Sequence, residues 1–147
     1  MMAAENTGDG SYLLPRAEHA RVVDAMRHGL LKCPADATPR DAARMMCTKH
    51  VHMVAVTDAV DGSVIGALTD LGLVDALLDE TVAEQSLAEC ISPEVKTVSS
   101  DAPLLEAARL MRDSGSAHVL VSDAHNGHPV GVLSTLDVAG ILAWGEA

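Results

Sequence analysis

The sequence predicts an α+β protein made of two pseudo-twofold-related β-α-β-β-α repeats that form one compact module. The first observation is internal repetition, because the chain aligns with itself at a shift of 65 residues with 15 identities in about 55 positions and no gap. The second is an amphipathic helical pattern that recurs in each copy between short extended runs. The third is a polar, Gly-containing turn between two β-rich runs in each copy.

The first helix of each copy is predicted from its start signals. Asp36 with Pro39 precedes the apolar stripe in the first copy, and Asp101 with Pro103 precedes it in the second. Asp is favoured at the N-cap and Pro in the first turn, so these pairs are expected to begin the helices. Gly115 is expected to end the helix of the second copy.

The strands and closing helices follow from β-rich runs and turn signals. Asp61-Gly62 in the first copy and Asn126-Gly127 in the second lie between apolar runs, which is typical of a β-hairpin. We expect strands over 30–33, 54–56 and 64–68 and over 95–98, 119–121 and 129–133, with closing helices over 70–78 and 135–143.

The repeat also predicts the domain organisation of the chain. Residues 1–18 are expected to be a flexible N-terminus, 19–78 the first repeat, 79–86 a linker and 87–143 the second repeat. A lead-in helix over 20–26 is expected within the first of these repeats.

Composition and charge exclude several classes of function. Ten basic residues against 21 acidic ones give a formal charge of −11, without the basic footprint that nucleic acids or anionic membranes require. The polar, acidic N-terminus is not a signal peptide, and no apolar run approaches the ~18 residues of a membrane helix. Three cysteines without a CxxC motif favour a reducing compartment, so the expected location is cytoplasmic.

Three segments of the second copy resemble the CBS-domain family, whose paired form is called a Bateman module. They are Asp-Ala-Pro-Leu-Leu-Glu-Ala-Ala-Arg-Leu-Met (101–111), Ala-His-Val-Leu-Val-Ser-Asp (117–123) and Gly-Val-Leu-Ser-Thr-Leu-Asp-Val (131–138). With the first copy, the resemblance covers about residues 20–143. It implies an adenosine-type ligand (AMP, ADP, ATP or S-adenosylmethionine) in a cleft between the repeats, no required cofactor, a homodimer and an unidentified regulated protein.

The resemblance also implies a ligand site governed by the second repeat. Ser134 would lie near phosphate and Asp137 would grip the ribose diol, since a carboxylate can accept from both hydroxyls and a helix N-terminus suits phosphate. His118 either contacts phosphate or packs in the interior, and Lys96 is the nearest cation in the sequence. The residues implied are Lys96, Thr97, Val98, Ala117, His118, Val119, Ser134, Thr135 and Asp137.

The same Ser134-x-x-Asp137 spacing is also a capping-box pattern, which needs no ligand. The first copy departs from the motif, because Gly72 stands where the Asp belongs and Asp70 lies two positions early. We therefore expect at most one nucleotide per chain. Because the chain has few Lys and Arg side chains to meet a triphosphate, we expect AMP, ADP or S-adenosylmethionine rather than ATP.

Neither catalysis nor a metal site is predicted. No nucleophile–base pair or phosphate loop is evident, and the spacing of His50, His52 and Cys47 does not fix the three or four converging ligands that a divalent metal needs. Two functional hypotheses remain. One is a stand-alone regulatory sensor of an adenosine-type ligand, and the other is a ligand-independent interaction or dimerisation module.

Overall fold

The computed structural model describes residues 13–91 and 96–146. The first repeat and its surroundings contain α1 (Val22–Ala25), β1 (Arg27–His28), β2 (Lys32–Pro34), α2 (Pro39–Lys49), β3 (Met53–Thr57), β4 (Val64–Thr69) and α3 (Asp70–Leu77). A 3-10 helix (Val82–Glu84) follows within the predicted linker. The remainder contains α4 (Leu87–Cys90), β5 (Thr97–Ser99), α5 (Leu104–Ser114), β6 (His118–Ser122), β7 (Pro129–Ser134) and α6 (Thr135–Trp144).

The order β-α-β-β-α occurs twice, so the predicted α+β fold class is confirmed. Most of the predicted N-terminus, residues 1–12, lies outside the described residues, as does residue 95 of one predicted strand. The described residues fall into two packing units, 30–91 and 13–29 with 96–146.

The unit formed by residues 30–91 is built on a three-stranded sheet in the order β2-β3-β4. β2 runs parallel to β3, and β3 pairs antiparallel with β4 through the predicted hairpin. Alternate residues of β3, Val54 and Val56, pack with Leu68 and with Ala42 and Met46 of α2 in one apolar core. Alternation along the strand and helical spacing along α2 bring these side chains to the same side.

The second unit, residues 13–29 with 96–146, is built on a four-stranded sheet in the order β1-β7-β6-β5. β5 and β6 are parallel, whereas β7 is antiparallel to both β6 and β1. Its core takes Val119 and Val121 from β6, Leu104 and Met111 from α5, and Val22 from α1.

The lead-in helices α1 and α4 dock in equivalent ways, each in the unit that holds the other repeat's strands. The N–H of Val22 donates to the carbonyl of Ala102, and the N–H of Leu87 donates to the carbonyl of Ala37, both at 2.9 Å. Leu87 lies 65 residues after Val22, and Ala102 lies 65 residues after Ala37, so the two bonds are equivalent under the repeat. By sequence, α1 belongs to the first repeat and α4 to the second. By packing, α1 belongs to the unit with the strands of the second repeat, and α4 to the unit with the strands of the first.

The helix starts differ from the prediction, because Asp36 and Asp101 are not the N-caps. Thr38 caps α2 through a reciprocal capping box: its hydroxyl accepts from the Asp41 N–H, whereas its own N–H donates to the Asp41 carboxylate at 3.1 Å. This pair satisfies two otherwise unpaired donors at once. Pro103 is the N-cap of α5, and the Asp101 carboxylate accepts from the Ser99 hydroxyl instead.

The predicted helix stop at Gly115 is confirmed, with φ of 66° in the left-handed region. In the first copy His50 takes the same position with φ of 55°, which is uncommon for a residue other than Gly.

Gly131 lies in β7 at a point where the backbone of β1 passes close to it. His28 pairs with Gly131 across the ladder, and a Cβ at position 131 would lie 2.2 Å from the Arg27 carbonyl oxygen. Only a residue without a side chain allows this approach. The glycine that begins segment 131–138 is therefore needed for the close packing of β1 on β7, which the sequence motif did not reveal.

Candidate functional site

The residues that the sequence singled out gather at one end of the four-stranded sheet. β5 begins at Thr97, β6 begins at His118 and β7 ends at Ser134. Because β5 and β6 are parallel and β7 is antiparallel to β6, these three ends share one edge of the sheet. His118 pairs with Ser134 across the ladder, so segments 96–98, 117–119 and 134–137 lie in one region of a single unit.

The predicted site residues differ in how far their side chains are buried. Val98 and Val119 are part of the apolar core, so only their backbone is left for recognition. His118 is half-buried, which leaves both of its predicted roles open. Among the other predicted site residues, Asp137 is buried, Ser134 is half-buried, and Lys96, Thr97, Ala117 and Thr135 are exposed.

Ser134 and Asp137 form a capping box at the start of α6. The Ser134 hydroxyl accepts from the Asp137 N–H at 3.1 Å, and the Ser134 N–H donates to Asp137 Oδ2 at 2.9 Å. The capping interpretation is thus confirmed. Only one carboxylate oxygen of Asp137 takes part in the box, so the second oxygen is not committed to it.

The first copy builds the same helix start with different chemistry. Thr69 caps α3 by accepting from the Gly72 N–H at 3.1 Å, but residue 72 has no carboxylate to complete a box. Asp70 is directed elsewhere, because one oxygen lies 2.7 Å from Nδ1 of the exposed His52 and the other accepts from the Leu71 N–H. The start of α3 therefore carries an exposed carboxylate where α6 carries the Thr135 hydroxyl.

A surface depression of about 380 Å³ lies in the second unit between the end of α5 and the start of α6. Two predicted site residues, Ala117 and Thr135, line it, whereas the other seven are not among its lining residues. The Ala117 carbonyl accepts the Thr135 N–H at 3.0 Å, which joins the two segments at its rim. The lining residues are Ala108, Met111, Arg112, Gly115, Ser116, Ala117, Thr135 and Val138.

Arg112 is the one charged residue among those that line the depression, and sequence reasoning missed it. It aligns with Cys47, so the repeat gave no signal for a cation here, and Lys96 was chosen by its distance along the chain. Helical spacing gave no signal either, because Arg112 lies one turn beyond Ala108 on α5 and Ala108 was not a predicted site residue. Its Nε donates to the Asp113 carboxylate at 3.0 Å in a solvent-exposed pair, which is readily exchanged for another anion.

Within residues 13–91 and 96–146, no group of three or more His, Cys, Asp or Glu side chains could hold a metal ion. Of the residues considered for such a site, His52 lies against Asp70. Over the same described ranges, no helix is long and apolar enough to cross a membrane. The three cysteines are free thiols, and burial raises the pKa of the Cys33 and Cys90 thiols, which makes them less reactive.

Comparison with known proteins agrees with this architecture. The profile of the CBS domain matches residues 22–79 and again residues 87–143. A search of curated proteins gave no significant match. Among solved structures, the chain is similar to a CBS-domain containing protein from Agrobacterium tumefaciens, with 24% identity, a TM-score of 0.76, and 88% of this chain and 97% of that chain covered.

Two further solved structures carry adenosine-type ligands. CBSX2 in complex with AMP is 22% identical, with a TM-score of 0.69 over 82% of this chain and 93% of that one. A CBS domain pair in complex with 5′-methylthioadenosine and S-adenosyl-L-methionine is 18% identical, with a TM-score of 0.75 over 84% and 96%. Similarity at this level establishes the fold alone. With two matched domains that span most of its length, the chain belongs to the CBS domain family as a tandem pair.

Proposed function

We propose that the chain is a regulatory CBS pair that binds one adenosine-type ligand through its second repeat. The observation that carries the proposal is the intact Ser134-to-Asp137 segment at the same sheet end as Lys96, Thr97 and His118, beside an open depression. The AMP complex of CBSX2 and the 5′-methylthioadenosine and S-adenosylmethionine complex of another CBS pair support this class of ligand.

The chemistry of the second repeat suits a nucleoside with little negative charge. The oxygen of Asp137 outside the capping box would accept from the ribose hydroxyls, through charge-assisted hydrogen bonds worth roughly 1.5–3 kcal/mol each. The Thr135 hydroxyl and the exposed Arg112 would meet a phosphate or carboxylate at the depression. Few cations are present in a chain of charge −11, so AMP, ADP or S-adenosylmethionine are favoured over ATP.

The first repeat would not bind the same ligand. Gly72 offers no ribose acceptor, and the Asp70 carboxylate at the start of α3 would repel a phosphate there. The proposal is therefore one ligand per chain.

The output would be regulatory rather than catalytic. A ligand that prefers one arrangement of the protein shifts the population towards it, and a partner protein would detect that shift. We place this role in the cytoplasm, because three free thiols suit a reducing compartment.

A homodimer formed through α6 completes the proposal. Leu136, Leu142 and Trp144 of α6 are 55% to 80% exposed, whereas the helix's one charged residue, Asp137, is buried. An uncharged apolar face is costly in water and suits a second copy of the chain.

We expect Leu142→Gln to weaken self-association at least tenfold, as measured by sedimentation equilibrium, and to leave the melting temperature of the protein unchanged. If the variant associated as strongly as the wild type, α6 would not be the interface.

Thermal shift against AMP, ADP, ATP, S-adenosylmethionine and NAD tests the ligand proposal. A ligand at about 100 times its Kd stabilises by roughly 2.7 kcal/mol, which is about 5–10 °C for a chain of this size. NAD is included to test whether any compound that contains an adenosine group is bound. We expect a shift of that size for at least one of the first four.

A ligand-independent interaction module is the second candidate, and one observation favours it. The capping box already gives Ser134 and Asp137 a structural role that needs no ligand. No thermal shift with any compound in the panel would support this candidate over the sensor.

A further inference from the structure

Arg112 gives the depression of the second unit its one charge. It lies in the last turn of α5, and its side chain is 75% exposed. Its Nε pairs with the Asp113 carboxylate at 3.0 Å, so the two Nη groups of the guanidinium stay outside that pair. An exposed ion pair of this kind contributes little to stability. The guanidinium can therefore turn to an anion that enters the depression.

The first repeat builds the same backbone frame with different charges. In both copies the preceding helix ends in a residue with left-handed φ. The N–H groups of Thr135 and its equivalent Asp70 each donate, at 3.0 Å, to the carbonyl of the residue that precedes β6 or β3. Within this shared frame, Cys47 takes the place of Arg112. Since a cysteine suffices there, the fold does not require the charge of Arg112.

Thr135 connects the depression with the proposed ribose acceptor. It lines the depression and directly follows Ser134, which holds Asp137 in the capping box. A nucleoside with its ribose at the Asp137 carboxylate would then extend its 5′ group past Thr135 towards Arg112. A 5′-phosphate carries a charge of about −1.5 to −2 at neutral pH. In a chain of formal charge −11, such a group needs a local cation to offset the overall repulsion.

We infer that Arg112 makes the second-repeat site selective for adenosine ligands with an anionic 5′ group, such as AMP and ADP. The guanidinium would donate to the phosphate in the planar, charge-assisted geometry that arginine favours. Adenosine and 5′-methylthioadenosine carry no anion, and the carboxylate of S-adenosylmethionine is offset by its ammonium and sulfonium groups. The inference rests on the proposed function and narrows its ligand class to nucleotides.

Isothermal titration of the full chain with AMP and with adenosine tests the inference, because these two probes differ only in the 5′-phosphate. We expect AMP to bind at least tenfold more tightly than adenosine at 50 mM salt. This ratio of affinities should shrink at 300 mM salt, since the contact with Arg112 is exposed and therefore screened.

Variants of α5 assign the selectivity to one side chain. Arg112→Gln is expected to weaken AMP binding about tenfold and to change adenosine binding less than twofold. Arg112→Lys restores the charge without the planar guanidinium and should keep part of the ratio. Arg109→Gln is the charge-matched control and should keep all of it, because Arg109 is exposed on the same helix and is not a lining residue. Thermal unfolding and sedimentation equilibrium check the stability and self-association of each variant.

Three results with the variants would overturn the inference. One is a wild-type ratio in Arg112→Gln, and another is an equal loss of AMP and adenosine binding in that variant. The third is a ratio that narrows as much in Arg109→Gln as in Arg112→Gln. If Arg112→Gln lost self-association while its ratio stayed at the wild-type value, the side chain would belong to the contact with a second copy instead.

Two results with the wild-type chain separate this inference from the proposed function. Equal affinities for AMP and adenosine, both weakened in Asp137→Asn, would overturn the inference and leave the proposed function standing. Binding of neither compound would also overturn the inference, and the thermal-shift panel would then decide whether the proposed function stands.

Discussion

Asp137→Asn is expected to leave the protein folded and to weaken binding of its adenosine-type ligand by about 10- to 100-fold. The Asn carbonyl oxygen can still accept from the Ser134 N–H, so the capping box keeps an acceptor where Asp137 Oδ2 now lies at 2.9 Å. The ribose loses a charged acceptor worth roughly 1.5–3 kcal/mol. Isothermal titration gives the affinity, and thermal unfolding gives the stability.

A second variant, Asp137→Ala, removes both the helix cap and the charged acceptor for the ribose. It should lower the free energy of unfolding by about 1 kcal/mol through the lost cap and should also weaken ligand binding. Asp41→Ala is the matched control, because Asp41 holds the equivalent place in the capping box of α2 and is not one of the candidate site residues. It should cost similar stability and leave affinity unchanged. If Asp137→Asn bound ligand like the wild type, Asp137 would be a helix cap and nothing more.

Gly131→Ala is expected to lower the free energy of unfolding by about 3 kcal/mol, at the upper end of overpacking penalties. The added Cβ would lie 2.2 Å from the Arg27 carbonyl oxygen and 2.5 Å from the Met26 Cε. The Met side chain can move, but the carbonyl belongs to the backbone of β1, which pairs with β7. Urea denaturation measures the change.

Gly72→Ala is the matched control for that variant. Its Cβ would meet the Leu68 Cδ1 at 2.9 Å, the end of a flexible side chain, and Ala is favoured over Gly within a helix by roughly 1 kcal/mol. We expect no more than a small change in stability. Equal stability of Gly131→Ala and Gly72→Ala would show that β1 does not pack on β7 as described.

The parts of the fold that depend on local pattern were predictable. Helical spacing in 101–111, the β-rich run of β6 and the two Gly turns identified their elements, and the 65-residue repeat supported each from its copy. The docking of α1 and α4 was not predictable, because it rests on contacts between segments about 80 and 50 residues apart, such as Val22 with Ala102 and Leu87 with Ala37. The caps were misplaced because Asp36 and Thr38 are both favourable cap residues, and only the Asp41 carboxylate decides between them.

Where the resemblance supplied a motif, the sequence could name candidate site residues, and their role in ligand binding stays a prediction. The strand register then places the remote segment 96–98 beside β6. Two aspects needed coordinates. Val98 and Val119 turn out to be core residues, since the side of a strand that is buried depends on its partners. Arg112 joins Thr135 only through the packing of α5 beside α6, which no spacing along the chain reports.

The number of ligands bound per chain tests the central claim most directly. Isothermal titration of the wild-type chain, with the compound that gives the largest thermal shift, counts the sites. The presence of Asp137 in the second repeat and Gly72 in the first predicts about one ligand per chain. About two equivalent ligands per chain, or no binding of any adenosine compound in the panel, would contradict it.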